Sequence, residues 1–198
     1  MVTFKLGLTG SIGMGKSTTA RLFAEAGCAV WDADAAVHRL YDTGGAAVSP
    51  MEALFPDAIS GGAVDRSALR TIIGRNPEAL KQIESVVHPL VRDDRAQFAE
   101  MADAEIIVFD IPLLFETGAE AEMDAVACVT VSPEKQEKRV LERGTMSAEQ
   151  FQAIRDKQMP DDEICARSDF VIVTDTLEHA QAQVHDVLEQ IRKQMTDA

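Results

Sequence analysis

The chain has 198 residues, of which 46% are hydrophobic, enough for one large domain with a sizeable core. Its 33 acidic and 19 basic residues give a formal net charge of −14, which disfavours nonspecific nucleic-acid binding. No apolar run reaches the length of about 18 residues needed to span a membrane. We expect no signal peptide, because the first residues lead directly into a strand, and therefore expect a cytoplasmic protein.

Five apolar segments predict the strands of an α/β fold. Several are continuous apolar runs, which are typical of strands buried on both faces of a parallel sheet. Helix signals alternate with them, so we expect a five-stranded, doubly wound parallel sheet. The predicted strands are Phe4–Thr9, Ala29–Trp31, Glu105–Asp110, Ala125–Val131 and Asp169–Val173.

The first strand leads into a phosphate-binding motif. Gly10–Ser17 match G-x-x-x-x-G-K-[ST], and a helical segment that Gly27 ends follows them. Glycines let backbone N–H groups face phosphate oxygens, Lys16 can reach the β- and γ-phosphates, and the Ser17 hydroxyl can ligate Mg²⁺. The motif predicts a nucleotide site; the alternative is an ordinary glycine-rich turn.

Two carboxylates follow the second predicted strand. Asp32 and Asp34 stand at a strand end, where ligands of doubly wound sheets bind. One could orient an acceptor hydroxyl and take its proton, and the other could hold Mg²⁺ through water. Alternatively, Asp34 simply caps the next helix.

A long segment separates the second and third predicted strands. It holds roughly 70 residues, more than a simple crossover needs, and its turn and helix signals predict a helical insertion. Asn76 opens a helix that runs towards Val87, and Pro89 predicts a break or kink near His88.

The third strand ends in another acidic residue. Asp110 resembles the acid that contacts Mg²⁺ or its water in phosphate-loop enzymes, although a plain strand-ending turn is the alternative. The following Leu113, Leu114 and Phe115 could line an acceptor pocket or belong to the core.

Arginines follow the fourth strand, in which Cys128 is expected to be a small core residue. Arg139 and Arg143 lie four positions apart on one helix face, and Arg155 lies in the next helix. A break between two arginine-bearing helices predicts a lid that closes over a triphosphate; surface ion pairs are the alternative.

Polar caps mark the remaining helices. Ser132 opens a helix that ends at Gly144, while Ser147 with Gln150 and Asp175 with Glu178 have the spacing of capping boxes. The last helix has an apolar stripe that predicts packing on the sheet. The stripe consists of Leu177, Ala180, Val184, Val187, Leu188, Ile191 and Met195. The three cysteines and four histidines lack the spacing of a disulfide framework or metal site.

Together these segments resemble the dephospho-coenzyme A kinase family. The resemblance runs from about residue 4 to residue 190. The segments that carry it are Gly7–Thr18, Asp32-Ala33-Asp34, His88-Pro89, Pro112–Glu116 and the series Arg139, Arg143, Arg155 and Gln158. It implies a P-loop NTPase fold similar to nucleoside monophosphate kinases, with a core (1–34, 104–134 and 165–198), a helical acceptor-binding insertion (35–103) and a helical lid (about 135–164).

The resemblance also implies the reaction and its residues. ATP, with Mg²⁺, would phosphorylate the ribose 3′-hydroxyl of dephospho-coenzyme A, giving coenzyme A and ADP in the last step of coenzyme A biosynthesis. Asp34 would be the base, and Lys16, Arg139 and Arg143 would stabilise the phosphoryl group. The nucleotide would be held by Gly13, Met14, Gly15, Lys16, Ser17 and Thr18, the metal by Ser17 and Asp110, and the acceptor by Asp32, His88, Leu113, Leu114, Phe115 and Glu116.

Two positions depart from the family pattern. Thr174 or Asp175 stands where the family often has an asparagine near adenine, and His38 stands where it often has arginine. His88 could equally be only a helix-ending residue. We expect a monomer or weak homo-oligomer without nucleic-acid or membrane partners.

The motifs leave two alternative functions open. The first is another nucleotide or small-molecule kinase on the same scaffold. The second is a nucleotide-dependent switch, which the absence of an N-K-x-D motif disfavours because Asn76 is the only asparagine and precedes a proline.

Overall fold

The computed structural model describes residues 3–197. The chain divides into two compact units, one formed by residues up to Trp31 and from Ala102 onward, the other by Asp32–Met101. The second unit is thus an insertion in the sequence of the first. Among the described residues, no helix has both the length and the apolar character needed to cross a membrane.

The first unit contains a five-stranded sheet with the order β2-β5-β1-β6-β7. Strand β1 pairs in parallel with β5 and β6, and β6 pairs in parallel with β7. The strands of the chain are β1 (Phe4–Thr9), β2 (Ala29–Asp32), β3 (Ile59–Ser60), β4 (Ala63–Val64), β5 (Ile106–Asp110), β6 (Ala125–Thr130) and β7 (Phe170–Val173). The predicted five-stranded parallel α/β fold is confirmed, and each predicted strand overlaps an observed one.

The helices alternate with the strands of this sheet except within the insertion. They are α1 (Lys16–Glu25), α2 (Ala33–Tyr41), α3 (Val48–Leu54), α4 (Arg66–Arg75), α5 (Glu78–Met101), α6 (Pro133–Glu142), α7 (Ala148–Arg155), α8 (Asp161–Arg167) and α9 (Leu177–Asp197). Ser132 caps α6, and Ser147 with Gln150 forms the predicted capping box of α7.

The core of the first unit lies between the sheet and the helices α1 and α9. Leu6 and Leu8 of β1 are fully buried, as is Phe23 of α1. The apolar stripe of α9 is buried as predicted at Ala180, Val184, Val187, Leu188 and Ile191. Leu177 is instead 47% exposed, because it is the first residue of the helix and lines a cavity.

The second unit has its own apolar core. Helices α2–α5 surround a cluster that includes Leu40, Met51, Leu69, Ile83 and Val87. Strands β3 and β4 form an antiparallel hairpin, which the sequence analysis did not predict because each strand has only two residues.

Of the break or kink predicted near His88, the break is wrong, and the kink stays a prediction. Helix α5 runs through Pro89 without interruption. Proline removes one amide donor from a helix. Here Val87 before it, and Leu90 and Val91 after it, all pack on the same apolar cluster, so burial on both sides of the proline favours one continuous helix.

The predicted capping box of the last helix is also wrong. The Thr176 hydroxyl accepts a hydrogen bond from the His179 amide (3.1 Å), so the cap lies one residue later than expected. Asp175 instead accepts from the Thr176 amide (2.8 Å) and contacts His179 Nδ1 (2.7 Å). The side chain therefore supports the cap from outside the helix.

Candidate active site

The phosphate loop connects β1 to α1, as predicted. The amide of Met14 donates to the Ser11 carbonyl (3.2 Å), and the amides of Thr18 and Thr19 both donate to the Gly15 carbonyl (3.1 Å). Gly15 is the N-cap of α1 and has a left-handed backbone (φ 96°), with no side-chain cap bond. The loop thus leads directly into the N-terminus of α1, and a glycine-rich loop followed by a helix N-terminus is an arrangement that binds phosphate in proteins.

A buried ion pair joins the loop to the neighbouring strand. Lys16 Nζ contacts Asp110 Oδ1 at the end of β5, where the side chains are 15% and 2% exposed. Strand β5 lies beside β1, which places its final carboxylate next to the loop. The two residues that sequence reasoning assigned to phosphate and metal binding thus meet directly.

Helix α6 packs tightly against the loop at Gly13. A Cβ atom built there would lie 2.5 Å from Val140 Cγ2 and 3.2 Å from the Gln136 carbonyl oxygen. Gly13 also has φ 79°, so only glycine fits this position without strain.

A cavity of about 400 Å³ opens beside the loop within the first unit. Its lining combines the loop and α1, the end of α6, and the start of α9. The lining residues are Gly15, Thr18, Thr19, Arg139, Glu142, Arg143, Thr174, Thr176, Leu177 and Ala180. Such a volume suits a small organic ligand. The phosphate loop forms one side of this cavity.

The three predicted arginines lie in different surroundings. The Arg139 guanidinium donates to the Thr174 hydroxyl (3.0 Å) and to the Thr174 carbonyl. Arg143 ends α6 as an exposed side chain that lines the cavity. Arg155 contacts its own helix, donating to Gln152 (2.7 Å) and lying over the Phe151 ring (5.6 Å).

Asp32 and Asp34 belong to the second unit. Asp32 is the N-cap of α2 and accepts from the Ala35 amide (2.9 Å). Asp34 lies exposed in the first turn of that helix. The alternative that Asp34 caps the helix is therefore wrong, because the cap is Asp32.

The second unit also holds the remaining histidines of interest. His88 is exposed on α5. His38 Nε2 lies 3.2 Å from Arg66 Nη1, and the Arg66 guanidinium lies 5.4 Å from the centre of the Tyr41 ring. A cation from α4 thus stands beside His38.

Comparisons with known proteins now identify the family. The family model described as dephospho-CoA kinase matches residues 4–180. A curated dephospho-CoA kinase of Ruegeria pomeroyi is 67% identical over 191 residues, which cover 96% of this chain and 97% of the relative. The chain belongs to the dephospho-CoA kinase family. A second relative with this description, from Cereibacter sphaeroides, is 58% identical over 193 residues and covers 98% of both chains.

Solved structures agree with membership in the dephospho-CoA kinase family. A Thermus thermophilus structure has a TM-score of 0.86 at 32% identity, covering 96% of this chain and 98% of its own. The dephospho-CoA kinase from Campylobacter jejuni has a TM-score of 0.72 at 26% identity, covering 97% and 98%. Shikimate kinase from Acinetobacter baumannii, at 16% identity and a TM-score of 0.55, shares the fold. The predicted family and P-loop kinase fold are confirmed.

The segment after β5, which resembles the family at Pro112–Glu116, divides between core and surface. Leu114 and Phe115 are buried at 0% and 8% exposure, whereas Leu113 is 43% exposed. Glu116 accepts a hydrogen bond from the Met159 amide (3.2 Å), so its side chain binds the connection between α7 and α8. Of the three apolar residues, Leu113 alone presents a large exposed surface.

The sequence analysis missed Gln136 and Thr176 in this dephospho-CoA kinase family member. Gln136 precedes Arg139 by three positions and therefore shares its helix face, a signal that could have found it. Its amide contacts the phosphate loop at Ile12. Thr176 lines the cavity because α9 begins one residue later than predicted.

A second polar cluster lies between β6 and α8. The Cys128 and Cys165 sulfurs are 3.4 Å apart as free thiols, and burial raises the pKa of Cys128 to about 12. Asp161 Oδ2 accepts from the Thr130 hydroxyl (2.5 Å), while its buried Oδ1 has no partner within residues 3–197. Burial raises the pKa of Asp161 above its ordinary value.

Proposed function

We propose that this protein transfers the γ-phosphoryl group of ATP to the ribose 3′-hydroxyl of dephospho-CoA, giving coenzyme A and ADP. The observation that carries the proposal is the family match over residues 4–180, with the phosphate loop of that family intact. The cavity beside the loop supports a nucleotide donor, because it offers room for a base and ribose next to a phosphate site.

The proposed phosphate-binding groups are the loop amides, Lys16, Arg139 and Arg143. Lys16 is held near the loop by Asp110, and Arg139 keeps donors for a ligand because its guanidinium has five N–H groups. These cations would stabilise charge on the transferring phosphoryl group. Gly13–Thr18 would surround the β- and γ-phosphates.

Ser17 and Asp110 are the proposed Mg²⁺ ligands. The Ser17 hydroxyl is exposed at the start of α1, and the Asp110 carboxylate ends the adjacent strand, so both offer the oxygen donors that Mg²⁺ prefers. Within residues 3–197, no group of three or more His, Cys, Asp or Glu side chains could hold a metal. This fits Mg²⁺, which usually binds one or two protein groups together with phosphates and water. When bound, it would neutralise charge on the phosphates.

The proposed base is Asp34, with Asp32 beside it. Asp32 fixes the start of α2, and Asp34 keeps an exposed carboxylate in that first turn. A carboxylate can orient the 3′-hydroxyl and accept its proton as the new P–O bond forms. We further propose that residues 35–103 bind the acceptor, with His88 and the segment Leu113–Glu116 on the acceptor side, and that residues 135–164 close as a lid.

Other expectations from the sequence remain predictions. They are a cytoplasmic location, a monomer or weak homo-oligomer, and the absence of nucleic-acid and membrane partners.

An acceptor panel tests the proposed reaction. Coupled ADP release would be measured with ATP, Mg²⁺ and dephospho-CoA, adenosine monophosphate or shikimate, and the position of the new phosphate would be determined by ³¹P NMR. We expect turnover with dephospho-CoA and a 3′-phosphate. Turnover with a nucleoside monophosphate but not with dephospho-CoA would instead support the other kinase function.

A further inference from the structure

Two buried polar side chains hold carbonyl groups of the phosphate loop from outside. Gln136 Nε2 on α6 donates to the Ile12 carbonyl (2.7 Å), and the Thr174 hydroxyl after β7 donates to the Met14 carbonyl (2.6 Å). Gln136 and Thr174 are 3% and 6% exposed. The two bonds come from different parts of the chain, one from α6 and one from the residue after β7, and fix two peptides of the loop.

The direction of a carbonyl determines the direction of the next amide. In a trans peptide, the C=O and the following N–H point in opposite directions. The described residues contain no cis peptide bond. The amides of Gly13 and Gly15 therefore point away from Gln136 and Thr174, and backbone amides of a glycine-rich loop that lack a protein acceptor can bind an anion.

The surroundings leave these peptides little freedom to turn over. A Cβ on Gly15 would lie 2.9 Å from the Thr174 hydroxyl oxygen, and a Cβ on Gly13 would lie 2.5 Å from Val140 Cγ2 on α6. Turning either peptide would also leave a buried polar group without its partner, which is unfavourable. Within residues 3–197, the amides of Gly13 and Gly15 have no protein acceptor, so both can donate to a ligand.

We propose that Gln136 and Thr174 are positioning residues that orient the Gly13 and Gly15 amides for the phosphates of the donor. The proposal deepens the proposed function and rests on it, since the phosphates are those of a nucleoside triphosphate. It also gives a role to Thr174, one of the two residues, with Asp175, that could stand where the family often has asparagine. Its hydroxyl oxygen lies 2.6 Å from the Met14 carbonyl oxygen and 3.4 Å from the Thr130 carbonyl oxygen, so we assign its single proton to the shorter contact, and the oxygen accepts from Arg139. These backbone and arginine contacts occupy the hydroxyl without a nucleotide base.

Pyrophosphate binding is the direct test, because pyrophosphate has no base and needs no acceptor. Calorimetry would compare the wild type with Thr174→Val and Gln136→Met, which keep side-chain size but lose the donor. We expect each to weaken pyrophosphate binding about tenfold, the loss expected for one hydrogen bond. Thr174→Ser restores the hydroxyl and should recover most of the affinity. Gln190→Met, on the exposed face of α9, is the matched control and should bind as the wild type does.

A base-reading role for Thr174 predicts a different result. In that case Thr174→Val would lower kcat/KM for ATP but not for GTP and would leave pyrophosphate affinity unchanged, which would overturn the proposal. Positioning predicts that kcat/KM falls by a similar factor for both triphosphates.

NMR of the wild type removes any dependence on variant folding. Pyrophosphate should shift the Gly13 and Gly15 amide resonances more than those of β7, and unshifted glycine amides would refute the proposal. Failure of the proposed function can be told apart from failure of this proposal. In that case the protein would be inactive towards dephospho-CoA, but it would still bind pyrophosphate, and the variants would still bind it more weakly.

Discussion

Replacing Gly13 with alanine should destabilise the protein more than the same change at Gly27. Both glycines have left-handed backbones, with φ 79° and φ 93°. Alanine in that region costs about 1–2 kcal/mol at either position. At Gly13 the new Cβ would also lie 2.5 Å from Val140 Cγ2, whereas no atom lies within 4 Å at Gly27. Overpacking of a tight contact adds about 1–3 kcal/mol. The expected loss is therefore about 2–5 kcal/mol at Gly13 and about 1–2 kcal/mol at Gly27.

Urea unfolding of the ligand-free variants measures this difference. We expect unchanged m-values and a lower midpoint for Gly13→Ala than for Gly27→Ala. In a Val140→Ala background, which removes the clashing methyl group, the cost of Gly13→Ala should fall towards that of Gly27→Ala, because contacting residues couple energetically. Equal costs for the two glycines in the wild-type background would refute the close packing of α6 on the phosphate loop.

Three further predictions concern charged residues. Lys16→Met should lower kcat/KM by at least about 100-fold in the coupled assay, because it removes the cation at the phosphates, and a loss below tenfold would contradict that role. Asp34→Asn should lower kcat by about 100-fold or more with a much smaller change in KM for dephospho-CoA, and a change in KM alone would assign Asp34 to binding. Asp32→Asn keeps a good helix cap and should leave the free energy of unfolding nearly unchanged. The pKa of Asp161 is raised in the folded protein, so folding favours the protonated carboxyl group. The contribution of Asp161 to stability is therefore greatest at low pH, and it is lost as pH rises from the unfolded pKa near 3.8 through the higher folded pKa. Asp161→Asn should therefore gain stability relative to the wild type as pH rises through that window. Parallel pH profiles for the wild type and Asp161→Asn would refute the assignment.

The parts of the fold that sequence predicted are those encoded over short stretches. Continuous apolar runs gave each strand of the larger sheet to within one residue. Local chemistry also predicted helix ends, as at Ser147 with Gln150 and at Gly144. These signals succeed because the residues that decide the structure are close together in the chain.

The features that sequence did not predict depend on distant residues. The helix through Pro89 continues because side chains on both sides of it pack on one cluster, and no local rule contains that packing. Likewise, the bond from Thr174 to Met14 joins positions 160 residues apart. The residues proposed to bind phosphate belong to a recognisable motif, whereas the residues that contact the motif from α6 and after β7 carry no motif of their own.

The placement of acidic residues bears on how so acidic a chain would bind the polyphosphate of the proposed donor. Helices α2, α5, α6, α7, α8 and α9 each have an acidic residue in the first turn, the position where a negative charge stabilises a helix. Helices α1, α3 and α4 have none there, and α1 alone of these three begins with a lysine, Lys16. It thereby forgoes about 0.3–1 kcal/mol of stabilisation per residue and leaves its N-terminal positive field available to an anion. Because salt screens exposed charges beyond about 8–10 Å, the distant acidic residues that make up much of the net charge of −14 contribute little to the field at the loop.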